Sequence, residues 1–196
     1  MKYVFILLLV LPIIGCTQQP QQLHDMTAEI KDNDPKKYRV SKSEDAWKQF
    51  LSQEQYDILR LAGTERPFTG KYVNEDQAGI YFSAATGQPL FLADTKFDSG
   101  CGWPSFFEPI TPDAVYYRTD YSHGMVRTEV IDSGSGSHLG HVFTDGPPPT
   151  GLRYCMNSEA LLFVPLGEPY PELVRNYMET LATDEEKKLV TALQEK

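Results

Sequence analysis

The sequence predicts a mainly β protein: an antiparallel β domain with short helices before and after it. From Thr64 to Val164, short apolar runs alternate with Gly, Pro, Asn, Asp and Ser, which is typical of strands joined by turns. On either side of this segment, apolar residues recur at helical spacing. The chain therefore divides into a signal peptide (1–15), a tether (16–42), the domain itself (43–168) and a C-terminal helical tail (169–196).

The first residues have the pattern of a signal peptide. Met1-Lys2 precedes an apolar run from Tyr3 to Ile14, which Gly15-Cys16 ends. This run is too short to span a bilayer. Ile13-Ile14-Gly15-Cys16 resembles the lipobox of bacterial lipoproteins, which implies cleavage before Cys16 and acylation of that residue, for example with palmitate. We therefore expect an exported protein anchored to a membrane by lipid; in a Gram-negative source, Thr17 after the cysteine resembles the signal for the outer membrane.

A tether and two helices precede the β domain. Thr17 to Leu23 is rich in Gln and contains a Pro, which indicates a flexible connection. Ser43 is the predicted N-cap of a first helix, with Trp47 on its apolar face. Ser52-Gln-Glu-Gln55 has the form of a capping box for a second helix, and Gly63 is expected to end that helix.

The chain ends in two further predicted helices. Apolar residues between Leu173 and Leu181 follow helical spacing, and Thr183-Asp-Glu-Glu186 has the form of another capping box. We expect this tail to pack on the sheet or on a neighbouring molecule. The formal net charge of −9 argues against a nucleic-acid partner.

Cys155 lies at the centre of the segment that organises the chemistry, Gly151-Leu-Arg-Tyr-Cys-Met-Asn-Ser158. In an extended segment, Arg153, Cys155 and Asn157 point to the same face. A cation beside a thiol favours the thiolate, which is the nucleophilic form. The alternative for this segment alone is a buried structural cysteine in a strand, because free cysteines are among the most buried residues.

Three of the four histidines lie between Cys101 and Cys155, and two of them form the pair His138-Leu-Gly-His141. Such a pair can bind a metal, or it can serve as an acid and base near a thiol. The additional carboxylates nearby are Asp132 and Asp145. Histidines beside a thiol site are therefore the favoured interpretation, with a metal-binding module as an alternative.

Five separate segments together resemble the B-type methionine sulfoxide reductases, which reduce the R epimer of methionine sulfoxide. They occur in the order of that family: Gly63-Thr-Glu-Arg-Pro-Phe-Thr-Gly70, Cys101-Gly-Trp-Pro-Ser-Phe106, Ser122-His-Gly-Met125, Ser137-His-Leu-Gly-His-Val-Phe143 and Gly151-Leu-Arg-Tyr-Cys-Met-Asn-Ser158. The resemblance runs from about Ser43 to about Pro165. It implies two antiparallel sheets, a β-tent-like fold, with short flanking helices.

The resemblance also implies the role of each matching residue. Cys155 corresponds to the nucleophile, and Cys101 to the resolving cysteine that forms a disulfide with it. Trp103 corresponds to the aromatic residue that receives the methyl group of the substrate. The remaining matches are the polar residues around the sulfoxide oxygen, His138, His141 and Asn157, and the basic neighbour Arg153. His141 is our first choice as proton donor, and a thioredoxin-like protein is the implied reductant, because no cofactor motif is visible.

One departure from the family concerns a structural zinc. Many members carry two Cys-x-x-Cys pairs, and the matching positions in this chain are Ser83, Thr86, Asp132 and Ser135. Hydroxyls and one carboxylate are poor ligands for a tetrahedral zinc site. We therefore expect a protein without zinc and without another cofactor.

Two alternatives to this enzyme remain besides the metal-binding module. The first is an exported structural lipoprotein in which Cys101 and Cys155 form a permanent disulfide, since disulfides persist outside the cytosol. The second is a general thiol–disulfide oxidoreductase, whose usual signature is a Cys-x-x-Cys motif at the start of a helix. Neither cysteine of this chain lies in such a motif.

Overall fold

A computed structural model describes residues 30–194 of the protein. The predicted signal peptide, Cys16 and the first part of the predicted tether lie outside these residues, as do the last two residues of the chain. Among residues 30–194, no helix combines the length and the hydrophobicity that crossing a membrane requires.

Four α-helices flank the β domain in the described residues. They are α1 (Glu44–Phe50), α2 (Gln53–Leu59), α3 (Glu172–Thr180) and α4 (Asp184–Gln194). Ser43 caps α1, and Ser52 and Gln55 form the predicted capping box of α2. Glu186 and Thr183 bond reciprocally at the start of α4. Helix α2 ends at Leu59, earlier than predicted, because the chain turns through Ala62, which has a positive φ of 54°.

Between residues 30 and 194, nine strands form two antiparallel sheets, which confirms the predicted fold class. The smaller sheet has the order β2-β1-β9, with β1 at Gly79–Ser83, β2 at Pro89–Leu92 and β9 at Leu161–Pro165. The larger sheet has the order β3-β4-β8-β7-β6-β5. Its strands are β3 (Lys96–Phe97), β4 (Ser105–Phe106), β5 (Val115–Asp120), β6 (Arg127–Asp132), β7 (His138–Phe143) and β8 (Arg153–Met156).

Two hydrophobic clusters hold these layers together. The main cluster joins the helices α1 and α2 to both sheets, and the stacked rings of Phe91 and Phe106 at its centre are 4.5 Å apart. The second cluster packs Val174 of α3 and Val190 of α4 on Ile80 and Phe82 of β1. Strand β1 is consequently buried along its whole length. The C-terminal tail therefore packs on the smaller sheet, one of the two positions expected from its sequence.

The described part of the predicted tether lies against the edge strand β5. Asn33 N donates to Tyr117 O at 3.1 Å, and Tyr117 N donates to the Asn33 side chain at 2.7 Å. The buried carboxylate of Asp34 lies 3.6 Å from Arg118 of the same strand. These contacts occupy backbone groups that an open sheet edge would expose.

Candidate active site

Cys155 lies in the middle of the larger sheet. Strand β8 places it between Ser105 of β4 and His141 of β7, each of which is its direct partner in the antiparallel register. Tyr154 and Met156 point into the core, while Arg153 and Cys155 alternate with them on the half-buried face. The predicted extended geometry is therefore present from Arg153 to Met156.

Cys101 approaches Cys155 from the loop between β3 and β4. The two Sγ atoms are 3.4 Å apart, and both thiols are free. Gly102 has a φ of +93°, and its carbonyl accepts a hydrogen bond from Phe68 N at 2.7 Å. A Cβ atom at Gly102 would meet Phe68 N at 2.9 Å, so glycine permits the close approach that brings Cys101 to the sheet.

A cavity of about 90 Å³ opens beside the Cys155 thiol. Four of the residues predicted from the sequence line it, namely Trp103, His141, Cys155 and Asn157. Trp103 Nε1 donates to the carbonyl of Glu65 at 3.1 Å, which fixes the plane of the indole ring. Both ends of the Asn157 amide are engaged, since it accepts from Glu65 N and donates to Leu139 O, each at 3.1 Å. Asn157 therefore also joins β7 to the segment before the first strand.

His141 belongs to a charged network at one wall of this cavity. Its Nε2 lies 2.8 Å from Asp120 Oδ2, and Arg127 Nη2 contacts the same oxygen at 2.7 Å. Although burial acts in the opposite direction, hydrogen bonds from Ser122, His141 and Arg127 hold the pKa of Asp120 well below its usual range. An ionised carboxylate only accepts, so Nε2 carries a proton and Nδ1 is the remaining nitrogen of a neutral ring. Burial lowers the pKa of His141, and its bond to Asp120 opposes that shift.

His138 lies behind His141 rather than in the lining of the cavity. The two ring centroids are 5.3 Å apart in an edge-to-face arrangement. His138 Nδ1 is 2.8 Å from Glu129 Oε1, and Arg118 Nε donates to the other oxygen of Glu129 at 2.9 Å. The ring of His138 is buried, and its Nε2 has no hydrogen-bond partner within residues 30–194. The structure thus brings both predicted histidines together, with His141 in front.

Arg153 is engaged by a different partner from the one expected. Its guanidinium donates to both oxygens of Asp145 at 2.9 Å and lies 4.4 Å from the centre of the Phe143 ring. Burial raises the pKa of Cys155 to about 12; the neighbouring Cys101 acts in the same direction, and the charge of Arg153 only partly opposes the increase. The cation therefore lies near Cys155, but its charge is shared with a carboxylate.

Cys101 is the more acidic thiol of the pair. Burial disfavours its thiolate, but the nearby hydroxyls of Ser105 and Ser99 outweigh that effect and lower its pKa to about 7. The sequence suggested a thiolate at Cys155, stabilised by Arg153. In the pair of free thiols, the hydroxyls that surround Cys101 reverse this order.

Several site residues were not identified from the sequence. Thr64, Arg127, Gly140 and Phe143 complete the cavity lining, and Asp120 holds His141. Phe143 had a recognisable signal, because residues two apart on a strand share a face and it follows His141 at that spacing. Arg127 and Asp120 lie on other strands, and strand pairing is needed to place them.

The side chains proposed for a metal-binding module are engaged separately. His138 pairs with Glu129, His141 pairs with Asp120, and Asp145 pairs with Arg153. Within residues 30–194, no group of three or more histidine, cysteine, aspartate or glutamate side chains is arranged to hold a metal ion. This geometry does not favour the metal-binding alternative.

The four positions that correspond to zinc cysteines converge away from the cavity. Asp132 is fully buried, and its Oδ2 accepts hydrogen bonds from Ser83 at 2.6 Å and from Thr86 and Ser135 at 3.0 Å. Its Oδ1 accepts a bond from Gly134 N at 2.7 Å. The donors already satisfy this carboxylate, and the hydroxyls are oriented as donors towards it. This set of groups does not fit a zinc ion.

Fold and site together define a class of protein: a two-sheet β protein with a pair of close thiols beside a cavity lined by tryptophan and histidine. A family model described as the SelR domain matches residues 51–165. The peptide methionine sulfoxide reductase MsrB of Agrobacterium fabrum is 59% identical over 128 residues, which cover 65% of this chain and 95% of that protein. The protein of the same name from Azotobacter vinelandii is 52% identical over 130 residues, 66% of this chain and 98% of that protein. The chain belongs to the SelR domain family.

Proposed function

We propose that this protein reduces methionine sulfoxide, free or in proteins, to methionine, and that it acts on the R epimer. The names of its relatives support the reaction. The observation that carries the chemistry is the position of Cys155, which lines a small cavity while its sulfur lies 3.4 Å from a second thiol. A nucleophilic thiol and a resolving thiol must be this close for a sulfenic acid to become a disulfide without a large movement of the chain.

The first step takes place in the cavity. Cys155 attacks the sulfoxide sulfur and gives up its thiol proton, while the sulfoxide oxygen takes up a proton, which gives methionine and a sulfenic acid on Cys155. His141 lines the same cavity and supplies that proton. The indole of Trp103 provides an apolar surface for the methyl group of the substrate. A cavity of about 90 Å³ suits a thioether head group rather than a bulky side chain.

The second step regenerates the enzyme. Cys101 displaces the oxygen of the sulfenic acid, which forms the Cys101–Cys155 disulfide and releases water. A thioredoxin-like protein then reduces this disulfide by exchange. We further propose that the protein contains no zinc, since the Asp132 cluster fits hydrogen bonding rather than metal binding. Metal analysis that finds one tightly held zinc ion per chain would contradict this.

Acylation of Cys16 would place this enzyme on the exported face of a membrane. The pattern of the first sixteen residues supports this part of the proposal. Mass spectrometry of the mature protein, compared with a Cys16→Ser variant, tests it. We expect a lipid adduct on the first protein and none on the variant.

The decisive experiment is turnover of the two epimers of a blocked methionine sulfoxide by the full-length protein in mild detergent, with dithiothreitol as reductant. We expect reduction of the R epimer only, and loss of turnover in Cys155→Ser. A folded protein with two free thiols that reduces neither epimer would instead support the structural-disulfide alternative. In that case the Cys101–Cys155 bridge should also resist reduction by thioredoxin in the native state.

A further inference from the structure

Two serine hydroxyls, neither of which lines the cavity, lie beside the sulfur of Cys101. Ser99 Oγ lies 2.9 Å from Cys101 Sγ, and Ser105 Oγ lies 3.5 Å from it. The two hydroxyl oxygens are 2.7 Å apart, so each can bond to the other. No step of the reaction as described so far uses either serine.

The few hydroxyl protons of this cluster limit which hydrogen bonds can form at the same time. Each hydroxyl has a single proton to donate. If Ser99 donates its proton to the Cys101 sulfur, its oxygen accepts from Ser105 and from Cys101 N, which lies 3.4 Å away. The result is a chain of hydrogen bonds from Ser105 through Ser99 to a negatively charged sulfur. Bonds in such a chain polarise one another and strengthen the last one.

The same atoms also accommodate the neutral thiol. Trp103 O lies 3.7 Å from Cys101 Sγ and 3.2 Å from Ser105 Oγ, so it can accept a hydrogen bond from either group. Rotation of two hydroxyls is therefore enough to change the cluster from one that holds a thiolate to one that holds a thiol. No backbone movement is needed for this change.

The fold fixes both serines in place. Ser105 is fully buried in β4 and is the direct register partner of Cys155 in β8. Ser99 lies in a turn in which Asp98 Oδ1 accepts from Gly100 N at 2.9 Å. The charged and titratable groups around the Cys101 thiol are Cys155 and Arg153 on β8 and Asp98 in its own loop.

We propose that Ser99 and Ser105 activate Cys101 for the resolving step, by holding its sulfur as a thiolate directed at Cys155. This inference rests on the proposed function, and it assigns the two hydroxyls to the second half of the reaction. The thiolate of Cys101 attacks the sulfur of the Cys155 sulfenic acid. The S–S bond forms, the S–O bond breaks, and the departing hydroxide takes the proton that Cys101 gave up, so that water is the product.

The acidity of Cys101 agrees with its proposed role in the resolving step. The pKa of Cys101 is lowered to about 7, chiefly by Ser105 and Ser99 acting against burial. Close to neutral pH, such a thiol is present as thiolate in a large fraction while retaining much of its nucleophilicity, which is the optimum for attack on sulfur.

The test is Ser99→Ala in the full-length protein, followed in a single turnover without external reductant. Methionine release reports the first step, and loss of free thiols reports disulfide formation. If the substitution makes Cys101 a tenfold weaker acid, disulfide formation becomes about 2-fold slower at pH 7 and about 2-fold faster at pH 9, because the more basic thiolate is rarer but more nucleophilic. Ser99→Thr, which keeps a hydroxyl, should restore the original pH profile.

Exposed Ser41 supplies a matched control, since Ser41→Ala removes a hydroxyl while Ser99 and Ser105 keep their contacts with Cys101. A second measurement does not depend on turnover: the rate at which iodoacetamide alkylates Cys101 is followed as a function of pH. The proteins with Ser99 and with Ser99→Ala are compared, and both also carry Cys155→Ser so that Cys155 does not react. The proposal is overturned if Ser99→Ala leaves both the alkylation profile and the rate of disulfide formation unchanged. If the proposed function is wrong, the result is different: the unsubstituted protein releases no methionine.

Discussion

His141 Nε2 lies 2.8 Å from Asp120 Oδ2, although the two residues come from strands β7 and β5, which are not neighbours in the sheet. Strand β6 lies between these strands and contributes Arg127, which contacts the same carboxylate oxygen at 2.7 Å. The carboxylate thus holds the histidine on one side and is neutralised by the arginine on the other. This arrangement sets the orientation and the charge of the histidine that we propose as the proton donor.

Asp120→Asn should therefore alter the pH dependence of turnover. The bond to Asp120 raises the pKa of His141 against the effect of burial, so loss of the charge lowers that pKa further. Because the protonated ring is the donor, activity should decline at lower pH than in the unsubstituted protein, with about a 10-fold loss at pH 7. The measurement is kcat against pH, with exposed Asp113→Asn as control. If kcat falls equally at every pH, Asp120 does not set the pKa of His141, and this prediction is contradicted.

The two cysteines should respond differently to the choice of reductant. Cys155→Ser removes the nucleophile and should abolish turnover with any reductant. Cys101→Ser removes the resolving thiol only, so dithiothreitol should still reduce the sulfenic acid on Cys155 while thioredoxin should not. Steady-state rates with each reductant measure this difference. Equal loss with both reductants in Cys101→Ser would show that Cys101 is needed before the disulfide forms.

Trp103→Ala should weaken the binding of the substrate methyl group. The substitution removes an apolar wall of the cavity, and because a single methylene in a hydrophobic pocket changes kcat/KM by about 10- to 200-fold, loss of the indole should cost at least about 10-fold. Trp103→Phe keeps a ring but loses the hydrogen bond to Glu65 O, so its kcat/KM should lie between those of the unsubstituted protein and Trp103→Ala. Steady-state kinetics with a blocked methionine sulfoxide provide the comparison. Unchanged kcat/KM in Trp103→Ala would exclude the indole from substrate binding.

Asp132→Ala should destabilise the fold without changing the chemistry. The substitution leaves three hydroxyls and one backbone N–H without their acceptor in a fully buried site, at a cost of about 3 kcal/mol. For a protein of this size, the midpoint of thermal unfolding should fall by roughly 6–12 °C. Thermal unfolding followed by circular dichroism measures the change, and exposed Asp113→Ala should leave the midpoint within about 2 °C.

The same cluster predicts the result of a gain-of-function experiment. Ser83, Thr86 and Ser135 all bond to one carboxylate oxygen of Asp132, so the four side chains converge on a single point. The combined change Ser83→Cys, Thr86→Cys, Asp132→Cys and Ser135→Cys should bind one zinc ion per chain, because four thiolates are a tetrahedral zinc set. Metal analysis after dialysis checks this, with Asp132→Cys alone as control. Failure of the fourfold variant to retain zinc would show that the four side chains do not converge closely enough.

The sequence predicted the elements whose signals are local. The capping residues Ser43 and Ser52 and the extended segment around Cys155 depend on neighbours within a few positions, and each is present in the structure. The end of α2 was misplaced, since Gly63 follows a turn that begins at Arg60. Cys101, Cys155, Trp103, His141 and Asn157 were proposed from their short motifs, and the structure brings all five to one site.

By itself, the sequence predicted an antiparallel β domain and the helices at its ends, because these depend on spacing and residue type, and its family resemblance singled out the two thiols. Only the tertiary structure decided which partners surround each charge: Asp145 beside Arg153, Asp120 beside His141, and Ser99 and Ser105 beside Cys101. The burial of Cys155 and the hydroxyls beside Cys101 decide which thiol is the stronger acid. Proton affinities depend on burial and on groups within a few ångströms, and strand pairing brings such groups together from distant parts of the chain.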